Sequence, residues 1–225
     1  MSESANVYME RAKRLYDQKE VERFGLSPEL ELRSVILVYL SLVLKGNEAE
    51  ELLPEGEEEQ MFLRHFCDSL QSLLLFGYKK RALVLDIGAG CGFPSIPIRL
   101  FRPDISFLLV EPNRRKGEFL AEVKAELGLD NVEIHIGKAD NVVLEKKADY
   151  VVSRCGGTLQ KFAQVAKPHL AGDGRMYTHK TKQFPAELNA ITTSKDKDGV
   201  RIREIAQYDL GGAIQGLSLV SMEFV

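Results

Sequence analysis

Ala82-Leu-Val-Leu-Asp-Ile-Gly-Ala-Gly-Cys-Gly-Phe-Pro94 decides how this chain is read. Its first six residues form a short, nearly continuous apolar run, the signature of a parallel strand buried on both faces. Glycines at 88, 90 and 92 follow at once. Glycine lets the backbone take positive φ and come against a ligand with no Cβ in the way. A strand running into a glycine loop and then a helix is where a doubly wound fold holds its cofactor.

Toward the C-terminus the same grammar repeats. Apolar runs recur at 106–110, 132–136, 149–153 and 174–178, with helical spacing between them. From Arg114 to Gly128, Phe119, Leu120, Val123 and Leu127 mark one helix face. Strand alternating with helix implies right-handed crossovers and a mainly parallel, doubly wound α/β sheet. The tail, 200–225, holds two strand-like runs around Gly211-Gly212 and Gly216, expected to close the sheet as an antiparallel pair.

Toward the N-terminus the chain reads as helical. One helix is expected over Val7–Phe24. A second starts at Ser27-Pro28-Glu29, with Pro28 in its first turn, and runs from Leu30 to Leu44, where Lys45-Gly46-Asn47 ends it. The acidic stretch 48–59 reads as a solvated loop, and a third helix covers 59–76, stopped by Gly77. The expected organisation is a helical N-terminal extension, 1–80, followed by a cofactor-binding domain, 81–225.

Composition narrows the class. At 225 residues, 44% hydrophobic and 28% charged, the chain suits one substantial globular domain and excludes a disordered or fibrous protein. No apolar run approaches the roughly 20 residues of a membrane span. The start of the chain lacks the apolar core of a signal peptide. Three cysteines, 67, 91 and 155, without a Cys-x-x-Cys pair exclude a disulfide framework and a cysteine zinc site. A cytoplasmic protein with no membrane partner and no metal is expected. The net charge of −3 hides an asymmetry. Between Arg154 and Lys182 six basic residues meet a single acid, Asp173, enough for a polyanion-binding face or simply for solvated charges.

Two acids accompany the loop. Asp86 lies behind it, and Glu111 ends the second strand, where a carboxylate can accept both hydroxyls of an adenosine ribose. A dinucleotide site needs a third small residue where this chain has Phe93, and its pyrophosphate needs amide donors that Pro94 and Pro97 remove. A carboxylate behind the loop suits the cationic end of S-adenosyl-L-methionine better than a pyrophosphate. After the third strand, Ala139 and Asp140 either border the adenine or form a turn whose acid caps the next helix.

Arg64-His-Phe-Cys-Asp-Ser-Leu70, the loop from Asp86 to Pro94, Lys116-Gly-Glu-Phe-Leu120, Val152-Ser-Arg154 and Lys180 together form a pattern. The chain resembles the bacterial small-subunit (16S) ribosomal RNA guanine-N(7) methyltransferases, the glucose-inhibited division protein B family, best over residues 61–182. The resemblance implies a Rossmann-like S-adenosyl-L-methionine-dependent methyltransferase. Asp86, Gly88, Ala89, Gly90, Gly92, Phe93, Glu111, Ala139, Asp140 and Arg154 would then hold the cofactor. Arg154, Lys180, His65 and Asp68 would stand at the substrate. The implied partner is ribosomal RNA or the small ribosomal subunit; oligomeric state is left open. Guanine N7 has a free lone pair and no proton to remove, so no general base is required. This chain departs from the family at Ser95, where glycine is usual, at Cys155, where alanine is usual, and in lacking an Asn-Leu-Thr segment.

Each residue also has a structural reading. His65 and Asp68 would bond each other along a helix surface, Arg154 would pair with Asp86 or Asp149, and Lys180 would be an exposed strand end. Cys155 is either a small packing residue or a nucleophile. The alternative functions are methylation of another RNA position or of a small molecule, S-adenosyl-L-methionine binding without turnover and, last, an NAD-linked oxidoreductase.

Overall fold

A computed structural model describes residues 3–154, 157–181, 187, 199–211 and 214–225. Cys155, Lys182 and Gly212 lie outside the described residues. Seven strands form one sheet: β1 (Leu83–Ile87), β2 (Ser106–Glu111), β3 (Val132–Ile136), β4 (Ala148–Ser153), β5 (Leu170–Lys180), β6 (Val200–Tyr208) and β7 (Leu217–Phe224). Their order is β3-β2-β1-β4-β5-β7-β6. The first five run parallel, and β7 lies antiparallel between β5 and β6. The expected closing pair is therefore present, with its second strand folded back to the inner position.

β1 is central because its residues tolerate no water: Val84, Leu85 and Asp86 are fully buried between β2 and β4. Three described helices follow the parallel strands: α5 (Ser95–Phe101), α6 (Arg114–Leu127) and α7 (Leu159–Ala166). α6 begins where the Asn113 side chain accepts the Arg115 and Lys116 N–H groups, and ends where Gly128 turns left-handed at φ 61°. Those two signals give the helix the bounds its apolar spacing predicts.

The N-terminal helices are α1 (Glu3–Leu15), α2 (Gln18–Arg23), α3 (Leu30–Glu50) and α4 (Asp68–Leu75). A wide π-type turn, Phe62–Cys67, leads into α4. The helix expected over 7–24 is broken by Asp17, whose carboxylate accepts the Lys19 N–H and starts α2 afresh. Pro28 is not in the first turn of α3; the helix starts at Leu30, after an extended Glu29. Nor does Gly46 end that helix, which continues to Glu50. A Cβ at 46 would sit 2.7 Å from Leu52 Cδ1 and from the Phe119 ring of α6. This glycine is a helix–helix contact, not a stop. Gly46→Val should therefore cost about 2 kcal/mol through overpacking, read as a lower urea midpoint at unchanged slope. An unchanged midpoint would mean that Leu52 and Phe119 yield freely.

The acidic stretch also differs from the solvated loop expected. Glu48 accepts the Tyr8 hydroxyl at 2.5 Å, and Glu58 takes Arg11 at 2.5 Å and the Asn47 amide at 2.6 Å. Glu57 pairs with Arg64 and lies 2.8 Å from His65 Nε2. Distant basic residues, invisible to local reading, recruit these acids.

One core joins the N-terminal helices to a face of the sheet, uniting Ile36, Tyr39, Leu40 and Phe66 with Val84, Ile96, Phe107 and Leu120. A smaller core packs Leu159 and Ala163 of α7 on Leu85, Val151, Met176 and Val220. No described helix is long and apolar enough to cross a membrane.

Candidate active site

The strand order reverses between β1 and β4, and in open α/β sheets ligands bind beyond the carboxyl ends of the strands at that switch. The glycine loop leaves β1 there, and Arg154 leaves β4. Gly88, Gly90 and Gly92 all have positive φ, at 75°, 59° and 103°. They serve different ends. A Cβ on Gly90 would meet nothing within 4 Å, so the backbone borders open space; one on Gly92 would strike Ile96 at 2.5 Å. Gly90 leaves space in front of the backbone, and Gly92 admits the start of α5. Ala89 is buried beside them, its N–H donated to Val110 O.

Glu111 is where the sequence puts it, at the end of β2. Its two carboxylate oxygens accept the Gly90 and Asn113 N–H groups, each at 2.8 Å. A carboxylate offers about four acceptor positions, so it steadies the loop and retains lone pairs for ribose hydroxyls. Asp86 is fully buried. The Ser95 hydroxyl donates to Oδ2 at 2.6 Å, whereas Oδ1 has no hydrogen-bond partner. Burial pushes this carboxyl up to about 7, against the restraint of the Ser95 hydroxyl and N–H and of Arg154. A buried acceptor without a donor, on the strand that leads into the open backbone of Gly90, fits the cationic end of S-adenosyl-L-methionine. A pyrophosphate fits poorly, because Asp86 already occupies the start of α5 and Pro97 removes a further amide.

Phe93 forms a wall next to the loop. The His65 ring stacks on it at 5.4 Å, the Tyr39 ring meets it edge-on at 5.5 Å, and the Arg154 guanidinium sits 5.8 Å from its centroid. Burial and the Arg154 charge push His65 down to about 3, so it is neutral near pH 7. Cys91 in the loop is buried and pushed up to about 12 by that burial, which leaves it no thiolate for nucleophilic attack.

Behind this wall lies a buried polar knot. Asp68 pairs with Arg154 Nη2 at 2.9 Å, accepts the Tyr208 hydroxyl at 2.5 Å, and lies 3.3 Å from His179 Nδ1. Burial alone would raise Asp68, but His179, Arg154 and Tyr208 outweigh it and hold the carboxyl well below the usual range. Arg154 also donates to the backbone oxygens of Arg64 and His65, at 2.9 and 3.1 Å. The expected ion pair of Arg154 with Asp86 or Asp149 is thus replaced by one with Asp68. His65 and Asp68 turn to different partners instead of bonding along the helix. Lys180 is no exposed strand end: its ammonium donates to Gly157 O at 2.5 Å and pairs with Glu187 at 2.9 Å, its side chain largely buried.

Ala139 is buried in a single turn, Ala139–Asn141, and Asp140 is exposed on it. The longer helix that Asp140 was expected to cap is absent. Ser95, His179 and Tyr208 were missed as functional neighbours. Tyr208 meets Asp68 across 140 positions, and nothing local in the sequence announces such a pairing. Among the described residues, no group of three His, Cys, Asp or Glu side chains is placed to hold a metal ion.

A parallel sheet with an inserted antiparallel β7, a glycine loop after β1 and an acid ending β2 define the fold class of the Rossmann-like S-adenosyl-L-methionine-dependent methyltransferases. Solved structures agree: a SAM-dependent methyltransferase from Aquifex aeolicus superposes with a TM-score of 0.59 at 17% identity, covering 80% of this chain and 98% of that one. Within that class, residues 33–210 match the profile of the GidB family, rRNA small subunit methyltransferase G, and the chain belongs to that family. It is 31% identical to Ribosomal RNA small subunit methyltransferase G of Dehalococcoides mccartyi (strain CBDB1) over 209 residues, 89% of this chain and 88% of the relative. With the protein of that name from Nitrosomonas europaea it shares 37% identity over 140 residues, 62% of this chain and 64% of the relative.

Proposed function

We propose that the protein transfers a methyl group from S-adenosyl-L-methionine to the N7 of a guanine in small-subunit (16S) ribosomal RNA. The observation that carries the reading is Asp86, a buried carboxyl with one unpartnered oxygen at the end of β1, four residues ahead of the open backbone of Gly90. Membership of a family described as rRNA small subunit methyltransferases supplies the substrate class.

The cofactor supplies an electrophilic methyl on a sulfonium, and the protein's task is positioning and electrostatics. Asp86 takes the positive end of the amino-acid moiety, Glu111 the ribose hydroxyls, and Ala139 with Asp140 the adenine edge. Gly88, Ala89, Gly90, Gly92 and Phe93 shape the loop around it. Arg154 and Asp68 act as positioning residues, because their ion pair ties the 64–69 segment across the strand ends. Neutral His65, stacked on Phe93, borders the face where a base approaches, and Lys180 acts there through its bonds to Glu187 and Gly157 O, which fix the backbone beyond β4. An N7 lone pair needs no base, and no residue is given that role. Residues 1–80 are the extension that carries His65 and Asp68 to the methyltransferase domain, 81–225. Ribosomal RNA as substrate places the work in the cytoplasm, on free RNA or the small subunit.

The test uses purified protein, methyl-labelled S-adenosyl-L-methionine, and RNA or small subunits from cells lacking the gene. Nuclease digestion with mass spectrometry should find label in one 7-methylguanosine. Label in another nucleotide would overturn the N7 assignment, and cofactor binding without any RNA label would overturn the substrate.

A further inference from the structure

Ser95 is wholly buried and opens α5, and its hydroxyl donates to Asp86 Oδ2 at 2.6 Å. That contact distinguishes the two oxygens of the carboxyl, since Oδ1 is left buried without a donor. The groups around Asp86 do not neutralise it. Arg154, at the end of β4, favours its charge but is already paired with Asp68. Glu111, at the end of β2, opposes it. Tyr39 of α3 and Tyr78, ahead of β1, both feel the Asp86 charge; burial pushes them well up, so they stay neutral through the physiological range. Burial pushes the carboxyl in that setting up to about 7, and the oxygen free to carry the proton as pH falls is Oδ1.

We propose that Ser95 is a positioning residue for the cofactor: its hydroxyl pins Asp86 by Oδ2, leaves Oδ1 to the cationic end of S-adenosyl-L-methionine, and couples cofactor binding to loss of the Oδ1 proton to solvent. The balance is simple. One O–H bond breaks, the proton passes to bulk water, and the resulting carboxylate accepts an N–H from the ligand's ammonium. No redox partner is involved. This rests on the cofactor reading above and adds to it the protonation state of the site. Arrival of a cation shifts the carboxyl to its ionised form, so affinity must depend on pH over the interval in which the ligand-free Asp86 titrates, which lies around neutrality. The Ser95 hydroxyl stabilises the ionised form, so its removal moves that interval upward.

The experiment is isothermal calorimetry of S-adenosyl-L-methionine binding between pH 5.5 and 8.5, in buffers of different ionisation enthalpy. It uses the full-length wild type, Ser95→Ala and Ser95→Thr. Wild-type affinity should rise by up to about tenfold per pH unit below neutrality and level off above it. Proton release should approach one per site at the acid end and fade at the alkaline end. Ser95→Ala should bind several-fold more weakly at pH 7, with its profile displaced to higher pH, while Ser95→Thr, which keeps the hydroxyl, should follow the wild type. The ligand's own amino group titrates at about 7.7–8.0 against either protein, so the difference between profiles reports Asp86. Should Ser95→Ala fail to fold, wild-type proton release still decides the coupling, and Ser95→Cys, which nearly keeps the volume and loses the strong donor, replaces it with the same displacement to higher pH expected. A wild type that binds with pH-independent affinity and no proton release would overturn the coupling and leave the cofactor site standing. So would superimposable wild-type and Ser95→Ala profiles. A wild type that binds no S-adenosyl-L-methionine at any pH would instead overturn the cofactor reading itself.

Discussion

Asp86→Asn should weaken S-adenosyl-L-methionine binding by about two orders of magnitude while making the ligand-free protein more stable above neutral pH. The two effects share one cause. Hydrogen bonds to a charged group contribute about 1.5–3 kcal/mol, and the upper part of that range is a hundredfold in affinity. The carboxamide keeps the shape but loses the charge that attracts an ammonium. In the ligand-free fold, however, the charge is a burden, because Asp86 is fully buried and Oδ1 has no donor. Its carboxyl titrates at about 7 in the fold against an ordinary 3.8. Between those values the native state holds a proton that the unfolded chain has released, so stability falls as pH rises. The cost is nearly absent at pH 4 and complete above pH 7. There it reaches a few kcal/mol, since each tenfold change in proton affinity is worth about 1.36 kcal/mol. Urea unfolding of wild type and Asp86→Asn should therefore give similar stabilities at pH 4 and diverge by pH 8, with the variant the more stable. Calorimetry on the same samples then reads a binding defect in a well-folded protein. Wild-type affinity in Asp86→Asn would remove Asp86 from the cofactor site.

The sheet was legible in the sequence because buried parallel strands are short apolar runs, and all five appear within a residue or two of those runs except β5, which extends further at its start. The glycine loop was legible for a similar reason, since its chemistry lies in consecutive residues. Signals that a distant partner can override were not. Gly46 looks like a stop until Phe119 is brought against it. The 48–59 acids look solvated until Arg11 and Arg64 reach them. The same holds at the site. Asp86 and Glu111 follow from strand ends, but the partner of Arg154 is chosen by how α4 docks, and no spacing rule gives that. Ser95 stood out only as a departure from a pattern; that it bonds Asp86 follows from the path of the loop back over β1.

The knot around Asp68 should respond to mutation and to acid in the opposite sense from Asp86. Its carboxyl is held below the usual range by His179, Arg154 and Tyr208, which outweigh its burial. A depressed pKa contributes stability that is complete above the unfolded value, about 4, and is lost as pH falls toward the folded one. Asp68→Ala removes the shared acceptor and leaves a largely buried Arg154 without its carboxylate. Breaking a buried pair from one side costs about 3–5 kcal/mol, and that loss is the expected result at pH 7, shrinking below pH 4. Tyr208→Phe deletes one bond of the knot and should cost about 1–2 kcal/mol. The pair Asp68→Ala with Arg154→Ala should cost less than the sum of the single changes, because the second removes the charge the first left stranded. Additive losses would show that the two side chains act independently. Function separates this knot from the loop. Asp68 is bonded to Arg154, His179 and Tyr208, not to the loop, and through Arg154 it fixes the backbone at 64 and 65. Tyr208→Phe, mild enough to leave the fold intact, should therefore keep S-adenosyl-L-methionine affinity within about threefold while lowering turnover on RNA, the outcome the proposed function requires when the knot supports the substrate face and the loop the cofactor.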